Sequence, residues 1–143
     1  MRLTIKHDTL HSFLVGKYRN EILKLCLRGR AEGSFLRIIT DCDSGSLPEG
    51  SVLALVAVAK GQAVGLCLYW KLNQPLPTGN RIDSYCCGFY VNPKFRRLGI
   101  GSKLMTVAKK EFGQFAVFPW NKQAKAFFLA NKPETVSEPI MYM

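Results

Sequence analysis

The sequence predicts a mixed α/β fold, its elements in the order β-α-α-β-β-β-α-β-α-β within one domain spanning residues 1–143. Three observations carry that expectation. Apolar residues recur at helical spacing near the N-terminus and again after Gly99. Two apolar runs, Val52–Ala59 and Ala63–Leu72, are joined by Lys60-Gly61-Gln62, which signals a β-hairpin with glycine at its turn. The chain is 48% hydrophobic and 21% charged over 143 residues, enough to bury a core without disulfide or metal staples.

Taken in order, Arg2–Lys6 predicts a short strand. A helix follows from Asp8, with Asp8 or Thr9 as cap and Leu10, Phe13, Leu14, Tyr18, Ile22 and Leu25 on one face; Gly16 weakens it and Gly29 stops it. Ser34–Thr40 predicts a second short helix, and Asp41–Gly50, rich in Asp, Ser and Gly, a loop. After the hairpin, Pro75, Pro77, Gly79 and Asn80 mark another loop. Ile82–Val91 then reads as a third strand, apolar enough to be buried on both faces. Gly99–Gly113 is amphipathic, with Ile100, Leu104, Val107, Ala108 and Phe112 opposite Lys103, Thr106, Lys109 and Lys110. Phe115–Pro119 predicts a short strand, and Asn121–Asn131 a helix with Ala124, Phe127 and Phe128 inward. Thr135–Met143 supplies one last strand or a tight pair. Trp70 and Trp120 fill the core or line a cleft.

The formal net charge is +10, and it is unevenly spread: nine Lys and Arg stand between Lys94 and Lys132 against one acid, Glu111. Such a surface attracts a polyanion, whether a phosphorylated cofactor, a nucleic acid or an acidic protein. Lys103, Lys109, Lys110, Lys122 and Lys125 read most simply as solvated helix faces. The five cysteines, Cys26, Cys42, Cys67, Cys86 and Cys87, show no CxxC spacing. They read as reduced thiols packed in a cytoplasmic protein, with no metal site. His7 and His11 stand at helical spacing with no Cys or carboxylate at metal-ligand register in the sequence, and they read as surface residues and not ligands. The N-terminus has no apolar signal region, and no apolar run is long enough to span a bilayer as a helix.

The stretch Phe89–Met105 organises the rest. A strand ends at Val91, Asn92-Pro93 break it, and Lys94-Phe95-Arg96-Arg97-Leu98-Gly99-Ile100-Gly101-Ser102 runs into the amphipathic helix. Glycines let backbone N–H groups approach an anion, and a helix N-terminus adds positive potential. The pattern is not a dinucleotide fingerprint, since GxGxxG and its downstream acid are absent. It is not a Walker A loop either, since no Gly-Lys-Ser/Thr follows.

At these residues the chain resembles the GNAT superfamily of acetyl-CoA-dependent N-acetyltransferases. That family's pyrophosphate loop, Arg/Gln-x-x-Gly-x-Gly/Ala, is met by Arg96, Gly99 and Gly101, with Val91-Asn92-Pro93 before it and Leu104 after it. Asn121, Ala124, Phe127 and Phe128 look like the family's Asn-x-x-Ala-x-x-Phe-Tyr helix. The resemblance covers Val52 to Lys132. It implies a GNAT-like mixed sheet. It also implies that amides from Arg97, Leu98, Gly99, Ile100, Gly101 and Ser102, with the Arg96 and Arg97 side chains, hold the pyrophosphate of coenzyme A. By the same resemblance, the backbone of Phe89, Tyr90 and Val91 pairs with the pantetheine arm, and Asn121 contacts it from the far side.

The reaction implied is direct attack of an acceptor amine on the acetyl thioester, in which one proton must be removed and another delivered. Asp83 and Tyr85, two residues apart on one strand face, are the candidate bases, Asp83 the better placed by chemistry. Phe128 stands where the family often has a tyrosine that protonates the departing sulfur; Tyr90, Tyr85 and Tyr142 are the remaining candidate acids. The acceptor stays open among a protein amine, an aminoacyl group on tRNA and a small molecule, the basic balance weakly favouring a macromolecular, anionic partner. Two other readings stay open: a non-catalytic acyl-CoA-binding or protein-interaction module of the same fold, and a basic nucleic-acid-binding protein.

Overall fold

The computed structural model describes residues 2–32, 37–47, 50–75, 81–113, 115–117, 119, 122–137 and 140–143; at 37, 71–75, 81–85, 135 and 137 it describes backbone alone. Seven strands form one mixed sheet in the order β1-β2-β3-β4-β5-β7-β6. Strands β1 (Leu3–Thr9), β2 (Val52–Ala59), β3 (Gln62–Pro75) and β4 (Arg81–Val91) are antiparallel neighbours. Strand β5 (Ala116–Val117) runs parallel to β4. Beyond it β7 (Ile140–Tyr142) and β6 (Thr135–Ser137) pair antiparallel, the tight pair anticipated for the C-terminus.

The apolar runs become strands covered on both faces. In β2, Val52, Ala54 and Val56 face a layer of α1 (Leu10–Leu14), α2 (Arg19–Ala31) and α3 (Arg37–Asp43), packing on Leu10, Phe13, Ile22 and Ile39. The alternate residues Leu55, Ala57 and Ala59 face α4 (Ile100–Phe112) and α5 (Lys122–Ala130), packing with Ile100, Leu104 and Phe128. Full burial on both faces is why these strands read as continuous apolar runs and not as alternating ones. The β2–β3 turn needs just Lys60 and Gly61, at φ 52° and 75°. Two left-handed residues are what a two-residue hairpin turn of this twist requires.

The expected first helix is two. Thr9, not Asp8, accepts the capping hydrogen bond from Ser12 N, and α1 closes after one turn at Val15. Gly16 follows, and the Arg19 guanidinium then donates to the Leu14 carbonyl at 3.2 Å, satisfying a group that a continuing helix would have bonded itself. Tyr18 and Leu25 are still buried, so the apolar stripe was right while its continuity was not. Helix α3 also runs to Asp43, three residues into the expected loop; the expected start at Ser34 lies outside the described residues.

Candidate functional site

The sheet opens beside β4. Among the described residues, β4 pairs with β5 at Tyr85 and Ala116 alone, so the last residues of β4 keep β3 as neighbour on one side while the other side parts from β5. Two β-bulges shape this end of the strand. Leu68 pairs with Gly88 and Tyr69 with Cys86, so Cys87 is passed over. An extra residue inverts the in-and-out phase: Cys86 and Phe89, three apart, both face α4 and α5, while Tyr90 faces α2. On β3 the register passes over Val64, whose carbonyl accepts from Asn92 N at 2.8 Å and anchors the strand's exit.

Asn92 caps the turn that follows by accepting from Lys94 N at 3.1 Å, while Pro93–Phe95 form a single 3-10 turn. The backbone then takes two left-handed steps, at Arg97 (φ 64°) and Gly99 (φ 77°), and enters α4 directly. Arg97 is a non-glycine residue in a region that L-residues occupy at some cost, which is typical of backbone held for a purpose. Gly99 caps α4 with no side-chain hydrogen bond, and a side chain placed there would meet nothing within 4 Å. The first-turn amides of α4 have no intrahelical acceptor, as in any helix. Here no cap side chain covers them, and they border a cavity of about 350 Å³. Alternation of left- and right-handed residues turns successive N–H groups into an anion-binding hollow.

That cavity lies between the end of β4, the Arg96–Ser102 loop and α5. Its wall includes Phe89, Tyr90 and Val91 from the strand, Arg96, Arg97, Gly99, Ile100, Gly101 and Ser102 from the loop and helix start, and Ala124, Phe127 and Phe128 from α5. Of the residues singled out by sequence for the cofactor, these nine from β4, the loop and α4 meet in one place. Leu98 sits in the same loop with its side chain largely in solvent. Asn121 and Trp120 lie outside the described residues, as do the side chains of Asp83 and Tyr85, whose backbone belongs to β4.

The aromatic wall is continuous. Phe89 contacts Phe127 and Phe128 at ring-centroid distances of 5.1 and 5.9 Å, and Phe127 and Phe128 meet edge to face at 5.4 Å. Phe128 is buried and carries no hydroxyl. Gly101 is where helix α5 approaches α4: a Cβ there would sit 3.1 Å from the Phe127 ring. The second glycine of the loop thus makes room for an aromatic residue as well as exposing its amide.

Arg96 does not project freely. Its Nε donates to the Val91 carbonyl at 3.0 Å, and its two terminal nitrogens donate to the two carboxylate oxygens of Glu32 at 2.8 and 3.1 Å. The guanidinium also lies over the Tyr90 ring, 5.1 Å from its centroid, and the Tyr90 hydroxyl donates to Glu32. One helical turn earlier on α2, Arg28 donates to Asn92 at 3.0 Å. Glu32 lines the cavity, and nothing in the local sequence marked it. Its partners stand 58 and 64 positions away. Tyr142, a candidate acid, is buried with Ala116 and Ile140, away from the cavity lining.

The buried cysteines sit under the same strand. Cys67 and Cys86 approach to 3.9 Å between sulfurs, and desolvation pushes the thiol of buried Cys67, and that of part-buried Cys87, above the ordinary range. Lys109 departs from the expected solvated face: its ammonium donates to the carbonyls of Asn131 and Lys132, closing the C-terminal end of α5. No helix among the described residues is long and apolar enough to cross a membrane, and no group of metal-ligating side chains is found among them.

A sequence model described as the acetyltransferase (GNAT) family matches residues 19–130. Solved structures agree on the fold. A bisubstrate-analogue complex of the aminoglycoside acetyltransferase AAC(6')-Iy superposes with a TM-score of 0.68 at 16% identity, covering 96% of this chain and 95% of that one. A protein from Exiguobacterium sp. 255-15 described as an acetyltransferase gives 0.65 at 22% identity, over 99% and 92% of the two chains. A ribosomal-protein-alanine N-acetyltransferase from Brucella melitensis gives 0.51 at 23%, over 78% and 74%. Comparison with curated proteins yields no significant match.

Proposed function

Because the chain belongs to the acetyltransferase (GNAT) family, we propose that it is an N-acetyltransferase that takes acetyl-CoA and an acceptor amine into one ternary complex. One observation carries the reading: the uncapped, left-handed entry to α4 and the end of β4, which among the described residues has no partner beyond Tyr85 on its β5 side, border the same cavity. An anion-binding hollow beside an open strand edge suits a ligand with a pyrophosphate at one end and an amide-bearing arm at the other.

Bound acetyl-CoA supplies an activated thioester carbonyl. The amides from Arg97 to Ser102 hold its pyrophosphate, with Arg97 and Lys103 exposed nearby to add positive potential. The backbone of Phe89 and Tyr90 aligns the pantetheine arm as an added strand, and by the family resemblance Asn121 contacts that arm from the far side. A backbone N–H at the end of β4 stabilises charge on the thioester oxygen. The Val91 carbonyl is already engaged by Arg96 and helps fix the loop. Asp83, or Tyr85 through water, removes the proton from the attacking amine. Phe128 has no proton to give, that of Tyr90 is committed to Glu32 and Tyr142 is off the cavity lining, so the departing thiolate takes its proton from Tyr85 or from water. The acceptor is an amine on a macromolecule with an acidic surface, matching the +10 charge.

A second reading, binding of an acyl-CoA without turnover, is favoured by the same absence of a hydroxyl on Phe128. Titration with acetyl-CoA, followed by mass spectrometry of acetylated products from a cell lysate, tests both. Saturable binding with new acetyl-amine products supports the transferase; binding without products supports the module. Gly99→Asp places a carboxylate among the amides and strains a left-handed position, and it should weaken binding at least tenfold. If the parent protein fails to bind acetyl-CoA at millimolar concentration, the proposal is wrong.

A further inference from the structure

Glu32 puts a carboxylate on the wall of the cavity that the functional reading above gives to a pyrophosphate. It sits just past the end of α2, and both of its carboxylate oxygens are occupied by Arg96, a residue of the very loop that borders the amide hollow. The fork-to-fork geometry is the one guanidinium groups use for carboxylates and phosphates alike. Arg96 is therefore engaged in the contact it would otherwise offer to a phosphate. Its charge, seen from the cavity, is partly offset. Tyr90 reinforces the arrangement, stacking under the guanidinium and donating its hydroxyl to the same carboxylate.

Resting on the acetyl-CoA reading above, we propose that Glu32 is a positioning residue that acts through Arg96 as an internal competitor of the cofactor pyrophosphate. The carboxylate holds the guanidinium on the cavity wall and lowers cofactor affinity. Entry of the pyrophosphate must draw Arg96 from Glu32 or leave it neutralised. Since Glu32 and Arg28 both tie α2 to the turn after β4, a shift of the α2 C-terminal end releases Arg96 toward the cavity. Cofactor affinity is in this way tied to the position of the helical layer that covers the other face of the sheet.

The sign of one substitution separates this from a merely structural contact. Glu32→Gln keeps the shape and one acceptor while removing the charge. Coenzyme A should then bind tighter by about fivefold, the effect of one unit charge at a partly solvated site. The gain should shrink as salt rises. Pantetheine, which lacks the phosphates, should bind parent and variant alike. In an Arg96→Gln background the Glu32→Gln gain should fall below twofold, because the competed-for cation is gone. A thermal melt of each variant checks that it is folded. Unchanged or weaker coenzyme A binding by folded Glu32→Gln overturns this proposal alone, as does equal tightening toward pantetheine. Absence of coenzyme A binding by the parent overturns it together with the functional reading.

Discussion

Gly101 shows how one residue can answer to two demands. Helix propensity favours replacing it with alanine by up to about 1 kcal/mol, since glycine spends more backbone entropy on folding. Packing opposes the change, because the new methyl would stand 3.1 Å from the Phe127 ring. Overpacking of this kind costs about 1–3 kcal/mol. The ring is half-buried and can yield, which puts the cost at the low end of that range. Gly101→Ala should thus be close to neutral in thermal stability, while displacing Phe127 into the cavity and weakening coenzyme A binding severalfold. Adding Phe127→Leu should restore part of the binding by removing the ring that was pushed. Calorimetric titration alongside thermal melts checks both halves; a clear loss of stability with unchanged binding would mean that the ring moves away from the cavity instead.

Elements are joined here by charged side chains that bridge helix ends, and their pH dependence follows from their pairing. Arg19, opening α2, contacts both carboxylate oxygens of Asp43 at the end of α3. The hydrogen bond and charge of Arg19 hold the Asp43 carboxyl below its usual range. A carboxylate whose folded pKa is depressed contributes stability at pH values above its unfolded pKa, and the contribution fades as pH falls through the folded value. Asp43→Asn should therefore melt lower than the parent at neutral pH, with the two curves converging as pH falls through the depressed folded value. A constant gap across the acid range would show that the amide changes packing and not charge. This bridge also explains a misreading of the sequence. The stripe from Leu10 to Leu25 has unbroken helical spacing, yet the helix breaks at Val15–Tyr18, where Gly16 stands and where Arg19 folds back on Leu14 and reaches forward to Asp43. Periodicity reports which face is apolar; it carries nothing about a side chain that bridges a helix break to a residue 24 positions away. By contrast, the hairpin at Lys60-Gly61 and helix α4 were legible because their determinants are local: a positive-φ pair in one case, a glycine followed by an apolar stripe in the other. The loop glycines were legible for the same reason. Glu32 was not, since a carboxylate after a basic helix has no local signature and its meaning comes from Tyr90 and Arg96.

At the scale of the molecule, the sheet has a seam. Strands β1 to β4 share long antiparallel ladders, whereas β4 and β5 share one residue pair among the described residues. The far side of the seam, β5, β7, β6 and α5, is held mainly by apolar contacts beneath it, where Phe115, Val117, Met141 and Phe128 join Leu55, Tyr69 and Leu104. Tyr69 stacks on Phe112 at 3.7 Å and meets Phe115 edge to face at 5.1 Å, which ties the two sides through one ring. The chain end closes the far side on itself, Met143 and Phe115 exchanging backbone hydrogen bonds at 2.8 and 3.3 Å. Backbone bonds near a seam of this kind open locally more easily than those inside a long ladder. The cavity lies in the seam, so a ligand seated there would contact β4 on one side and α5 on the other. Binding to the folded state at one hundred times Kd stabilises it by about 2.7 kcal/mol. How that protection is distributed tests the architecture. Hydrogen exchange with saturating coenzyme A should slow in β4 from Cys86 to Val91, in the first turn of α4 and in α5, with β5 and β7 following as the seam closes. The β1–β2 ladder, which does not touch the cavity, should change little. Uniform slowing over the whole sheet would indicate global stabilisation alone, and protection confined to the α4 loop would mean that the ligand does not reach across to α5.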